Sequence, residues 1–171
     1  MGAVFIPKGT TGQVQRILQD YDRHADYFGP IVRRSKILEH SGDEFLVFRQ
    51  LYHRTIITYV YNMDFRVRYS RPKDTQLECR SFATRGAQVE DVGKPTEREE
   101  AVTGNPANQW RLNTYCRAEQ REDGTYLEYE TLFVAPQLPW MIRVIGGPIV
   151  RGFPSDAATK ILKATQQRLK Q

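Results

Sequence analysis

The amino-acid sequence predicts an α+β fold. A curved antiparallel β-sheet wraps around a long C-terminal α-helix, with two short helices after the first strand. Three observations carry this expectation. Trp110 to Arg117 and Tyr126 to Val134 are β-rich runs joined through Glu122-Asp-Gly-Thr125, a hairpin signal because glycine reaches positive φ without a Cβ clash. A proline-bounded apolar segment and one long amphipathic helix then end the chain. Upstream, Val14, Ile17, Leu18 and Tyr21 recur at helical spacing ahead of the main run of strands.

Taken in order, Val4 to Ile6 is strand-like, and Thr10 or Thr11 caps the first helix. Asp22 is expected to cap a second, Arg23 to Phe28, which Gly29-Pro30 terminates. Ser35 to His40 reads as a strand with Ser41-Gly-Asp43 as its turn, and Glu44 to His53 and Thr55 to Ser70 are long β-rich runs. In the second of these, alternation puts Ile57, Tyr59, Tyr61, Met63, Phe65, Val67 and Tyr69 on one face, against Thr58, Asn62, Asp64, Arg66 and Arg68 on the other. After a turn at Arg71 to Asp74, Thr75 to Ala87 is the next strand. Gln88 to Gln109 is polar and is read mostly as a mobile loop with short strand extensions at its ends. Ser155 is the expected cap of the final helix, whose inward stripe is Ala158, Ile161, Leu162, Thr165 and Leu169.

The 171 residues fit one domain spanning 1–171. The net charge of +5 comes from 25 basic and 20 acidic residues scattered along the chain. A nucleic-acid binder concentrates such charge on one stripe, so nucleic acid is not an expected partner. Mild basicity suits an anionic ligand or membrane surface at least as well. Two cysteines, Cys79 and Cys116, and three dispersed histidines, His24, His40 and His53, point to neither a metal site nor a resident cofactor. No apolar run approaches the roughly 18 residues of a membrane span. The chain reads as cytoplasmic, with export of a longer precursor left open.

The stretch Val14 to Pro30, the following Val32-x-x-Ser35, and the closing hairpin with its proline-rich bridge and helix resemble the helix-grip superfamily. This superfamily, collectively SRPBCC, includes START lipid-transfer domains, birch-pollen-type allergens, polyketide aromatase/cyclases and ubiquinone-binding proteins. Asp20, Tyr21 and Pro30, with Tyr27 and Phe28 as aromatics, match its two-helix plug element. The resemblance implies the fold over nearly the whole chain and a cavity under the last helix. Function on such scaffolds has to be argued from the site.

With Glu122 paired to Thr125, the hairpin register sets Arg117 opposite Glu130 and Glu119 opposite Glu128. Asn113, Tyr115, Arg117, Glu128 and Glu130 then share one face. Either it is a solvated charge ladder, or Glu128, Glu130, Arg117 and Tyr115 are the catalytic set of a cyclase or dehydratase. The opposite face carries Trp110, Leu112, Thr114 and Cys116, with Leu77 and Cys79 on the preceding strand, as the wall of an apolar pocket beneath Ile161, Leu162 and Thr165. Cys79 and Cys116 share the inward parity, which allows a cross-strand disulfide if their Cα atoms come within about 7 Å, but buried free thiols are the expected state. Trp140, Met141 and Ile145 are placed at the cavity mouth, a candidate for transient membrane contact, with Gly146-Gly147 and Gly152 as the gate. His53 and Arg49 are further acid–base candidates outside any motif, and His24 reads as a helix-terminus residue. The leading expectation is a monomeric or weakly dimeric carrier or sensor of a hydrophobic small molecule, lipid- or quinone-like. The alternatives are the cyclase-type enzyme and a protein-interaction module using 88–109.

Overall fold

The computed structural model describes residues 1–54, 58–101, 111–134 and 157–170. The elements are β1 (Gly2–Pro7), α1 (Thr11–Gln19), a 3-10 turn (Tyr21–Arg23), α2 (His24–Phe28), β2 (Val32–Ser41), β3 (Glu44–Arg54), β4 (Thr58–Ser70), β5 (Gln76–Glu90), β6 (Arg98–Ala101), β7 (Arg111–Arg121) and β8 (Gly124–Val134). Residues 157–169 form the last helix, α3. The strands make one curved, unclosed sheet in the order β1-β8-β7-β5-β4-β3-β2, with β6 beside the far end of β5. All described pairings are antiparallel.

Alternation decides what each face does. On β4, Met63, Phe65, Val67 and Tyr69 are buried while Arg66 and Arg68 are exposed, as the period-2 pattern requires. On α3, Ala158, Leu162 and Thr165 are buried with Ile161 and Leu169 packed beside them, so the predicted stripe is the one that meets the sheet. Near its end α3 is also tied by polar contacts. Gln166 Nε2 donates to the Phe5 carbonyl at 2.5 Å. Arg168 donates to the Asp26 carbonyl and lies 4.4 Å from the Tyr27 ring centre.

The plug starts with a reciprocal cap. Thr10 Oγ1 accepts from the Gln13 amide, and Gln13 Oε1 accepts from the Thr10 amide. Asp22, expected to cap the second helix, does something else. Its Oδ1 accepts from the Ile37 amide at 3.0 Å, fastening the plug to the edge strand β2. In the core, Tyr69 donates its hydroxyl proton to the Leu18 carbonyl at 3.0 Å, leaving its oxygen to accept from Tyr21 at 2.8 Å.

Three further expectations are corrected. The polar stretch after Ala87 holds a strand within the part read as loop: β5 extends to Glu90 as expected, and after 91–97 β6 returns against it, Ala87 facing Ala101 and Glu90 facing Arg98. Residues 102–110 lie outside the described residues. Cys79 and Cys116 are direct cross-strand partners with Cα atoms 4.9 Å apart, and they are joined as a disulfide rather than left as free thiols.

The third correction is the hairpin register. Arg121 faces Gly124, so Glu122 and Asp123 are the turn, and Arg117 faces Glu128 while Tyr115 faces Glu130. The two-residue shift has a tertiary cause. Strand β1 arrives beside β8, with Pro7 opposite Gly124, and a Cβ on Gly124 would stand 2.2 Å from the Ile6 carbonyl oxygen. Glycine is needed there for a close backbone approach (its φ is +156°) rather than as the centre of the turn. An even shift preserves parity, so every residue keeps its expected face.

This makes two glycines behave oppositely. Gly124→Ala is expected to cost about 2 kcal/mol or more, because backbone must move. Gly12→Ala, in the first turn of α1 with no atom nearer than 3.9 Å to the added carbon, should stabilise by about 0.5 kcal/mol. Urea midpoints for the two variants check this, and equal shifts would refute the register argument.

Candidate functional site

Between the inner face of the sheet and the start of α3 lies a pocket of about 40 Å³. Its walls include Val32, Leu51, Phe65, Leu112, Tyr129 and Ile161, with Ala157 at the α3 end. Besides Tyr129, which bears a phenol, polar side chains enter at two places. Thr114 faces Thr131 across β7 and β8, and both line the pocket. Arg49 lines it from β3.

Arg49 occupies an unusual position. It belongs to the inward set of β3, whose other members Phe45, Val47 and Leu51 are buried core residues. Its guanidinium carbon lies 5.2 Å from the Tyr21 ring centre and 5.7 Å from that of Phe65, within cation–π range. Nη2 donates to His24 Nδ1 at 3.0 Å. Nε is buried without a hydrogen-bond partner. Among the described residues no carboxylate lies within 4.0 Å of it.

His24 is fixed by its two neighbours. The Ile17 carbonyl, 3.1 Å from Nε2, can only accept, so Nε2 carries the proton. The guanidinium can only donate, so Nδ1 presents a lone pair. The ring is therefore neutral, and burial, then the charge of Arg49, holds its pKa well below the ordinary value. It is at a helix terminus as expected, but buried and bridging rather than exposed. Burial raises the Tyr21 phenol to about 12, and Tyr69 is raised for the same first reason. At neutral pH this group of side chains is a neutral scaffold carrying one cation.

The predicted wall residues divide. Leu112, Thr114 and Ile161 line the pocket. Leu77, Cys79, Cys116 and Leu162 are packed in the core cluster, and Thr165 is buried with its hydroxyl donated to the Ile161 carbonyl. Trp110, Trp140, Met141, Ile145 and the Gly146-Gly147 gate lie outside the described residues. Arg117, Glu128 and Glu130 are exposed, and Tyr115 is half-buried on that same outer face, away from α3. Arg117 bonds along its own strand to Glu119 at 3.2 Å rather than across to Glu128. Those four residues do not reach the inner pocket. Tyr129 and Thr131 were missed, although their parity on β8 with buried Leu127 marks them as inward.

No protein-family model matches the chain, and no curated protein matches it by sequence. Solved structures do. The chain superposes on the Zhui aromatase/cyclase of Streptomyces sp. R1128 with a TM-score of 0.67 and 14% identity, over 99% of this chain and 91% of that one. A STAR-related lipid transfer protein from Xanthomonas axonopodis gives 0.64 and 15%, over 99% and 84%. A START superfamily protein from Mycobacterium smegmatis gives 0.61 and 14%, over 99% and 94%. The protein has the START-like helix-grip fold. Among the described residues, no helix is long and apolar enough to cross a membrane.

A pH dependence follows from His24. Its folded pKa is depressed below the unfolded 6.5, so the unfolded chain binds the proton more readily. That contribution to stability is complete above about pH 7 and is lost as pH falls through 6.5 toward the folded value. The groups facing it are Tyr21, Tyr27 and Phe28 on the plug and Arg49 on β3, and the phenols of Tyr21 and Tyr27, both raised, stay protonated there. The urea midpoint should decline between about pH 7 and 5, and His24→Gln should flatten that slope whatever its effect at pH 7. An unchanged slope in the variant would assign the decline elsewhere.

Proposed function

We propose that this protein binds and carries a hydrophobic small molecule, lipid- or quinone-like, in the space between the sheet and α3. The observation that carries the reading is the inner pocket, apolar over most of its wall and polar at Arg49 and the Thr114–Thr131 pair. Such sites combine apolar lining with a few polar groups that orient the ligand. The helix-grip neighbours, which include a lipid transfer protein and an aromatase/cyclase, support a fold suited to such cargo.

At about 40 Å³ the pocket admits a ligand's polar end or a few water molecules, whereas pockets for whole drug-sized ligands run to roughly 300–1,000 Å³. The cyclase-type alternative draws no support from the carboxylates first assigned to it, because Glu128 and Glu130 sit on the solvent face.

Native mass spectrometry after gentle purification, followed by exposure to mixed phospholipids, fatty acids and quinones, should show a one-to-one adduct. Ile161→Trp fills the pocket from α3. It should reduce adduct formation at least about tenfold while costing about 1–3 kcal/mol for overpacking. A clean unliganded mass with every class, or uptake by the Trp variant equal to wild type, would count against the reading.

A further inference from the structure

We propose that the ligand is an acidic amphiphile whose carboxylate is received by Arg49. This rests on the carrier reading above and adds the charge of the cargo.

A strand position facing the core normally carries an apolar side chain, and β3 obeys this at Phe45, Val47 and Leu51. Arg49 breaks the series with a permanent charge. Removing a guanidinium from water without a counter-charge is costly, and such groups are usually paired with a carboxylate. Here Arg49 is half-buried, and among the described residues its hydrogen-bonding partner is a neutral imidazole at 3.0 Å, while the aromatic rings of Tyr21 and Phe65 lie within cation–π range without neutralising it. One guanidinium nitrogen is left unpartnered. On β2, Ser35 stands directly opposite Arg49 in register, and its buried hydroxyl also lacks a partner. Arg49 lines the pocket, so its unpartnered Nε is a donor that an anion there can take up.

The remaining walls select within the class of anions. Only one cation enters the pocket from the described residues, and Thr114 and Thr131 add neutral hydroxyls. That set suits a monoanion. A phosphate dianion would call for more donors. The volume of about 40 Å³ accommodates a carboxylate, and the apolar neighbours Leu51, Phe65, Leu112 and Ile161 receive the start of a hydrocarbon or aromatic body. Carboxylate–guanidinium bonds are charge-assisted and directional, so they fix orientation as well as affinity.

The test compares cis-parinaric acid, a fluorescent polyene fatty acid, with its methyl ester at pH 8 on the wild-type chain. The two differ in charge and hardly in shape. The acid should bind about tenfold to a hundredfold more tightly. Arg49→Gln should bring the acid-to-ester ratio to near one, and Arg49→Lys should keep part of the preference. Because the wild-type ratio needs no variant, a misfolded Arg49→Gln protein leaves the first comparison decisive. Excess acetate should fail to displace the probe, and displacement would refute the need for an apolar body. Equal binding of acid and ester by the wild type overturns the acidic-cargo inference and leaves the carrier reading standing. Binding of neither overturns both.

Discussion

Side chains of a β-strand alternate between two faces, and in this protein the plug and α3 cover only one of them. The sheet does not close on itself, β1 and β2 being its two edges. Its inner face therefore needs a lid, and the lid comes from both ends of the chain. Val14, Leu18 and Tyr21 approach from the plug, and Ala158 and Leu162 from α3. Burying side chains of this size is worth roughly 1.5–3 kcal/mol each before entropy is counted. The outer face carries charge whose partners are mostly exposed, such as Arg68 with Glu44 and Arg117 with Glu119. Pairs of that kind contribute little to stability. The same alternation that builds the core thus assigns chemistry to it: a charged residue at an inward position is retained against a cost, and one at an outward position is not.

Parity was also what the sequence conveyed best. The inward set Met63, Phe65, Val67 and Tyr69, the helical stripe on α3 and the plug ahead of the sheet were all legible, because periodicity is a local property. Register was not. Asp123-Gly124 is a strong hairpin dipeptide, but the glycine is claimed by β1, which passes so close that no side chain fits. A non-local contact overrode the local turn preference. The hairpin faces survived only because the slip was even. Asp22 failed as a helix cap for a similar reason, its carboxylate being taken by an amide of β2 fifteen residues away.

The site was legible in part. Leu112, Thr114 and Ile161 followed from parity. Arg49 had its own signal in the series Phe45, Val47, Arg49, Leu51, where one charge interrupts an apolar period. Its residue type suggested acid–base chemistry, whereas its place in that apolar period marks a cation beside the pocket. Charge density marks the solvated face, and a single exception on the apolar face is the more informative feature. The neutral state of His24 could not be read from the sequence at all. It depends on a carbonyl of α1 and a guanidinium of β3 that meet only in the folded chain.

The described contacts of α3 differ in kind along its length. Toward its C-terminal end, Gln166 is bonded to the backbone of β1, Arg168 rests on the plug, and Thr165 is fully buried. Ala157 and Ile161, at its other end, are the residues that face the pocket. The ties of Gln166 and Arg168 to other elements thus lie about two and a half to three turns from Ala157 and away from the pocket wall. Displacing the far end would break hydrogen bonds to two separate elements and expose the Leu162 side chain. Toward 157 the described contacts of the helix are apolar, those of Ala157 and Ile161 beside the pocket and of buried Ala158, and an apolar ligand body would replace the first two in kind. In the carrier reading proposed above, the 157 end thus faces the apolar body of a ligand beside Leu112 and Thr114, with Arg49 across the pocket in position to receive its polar group.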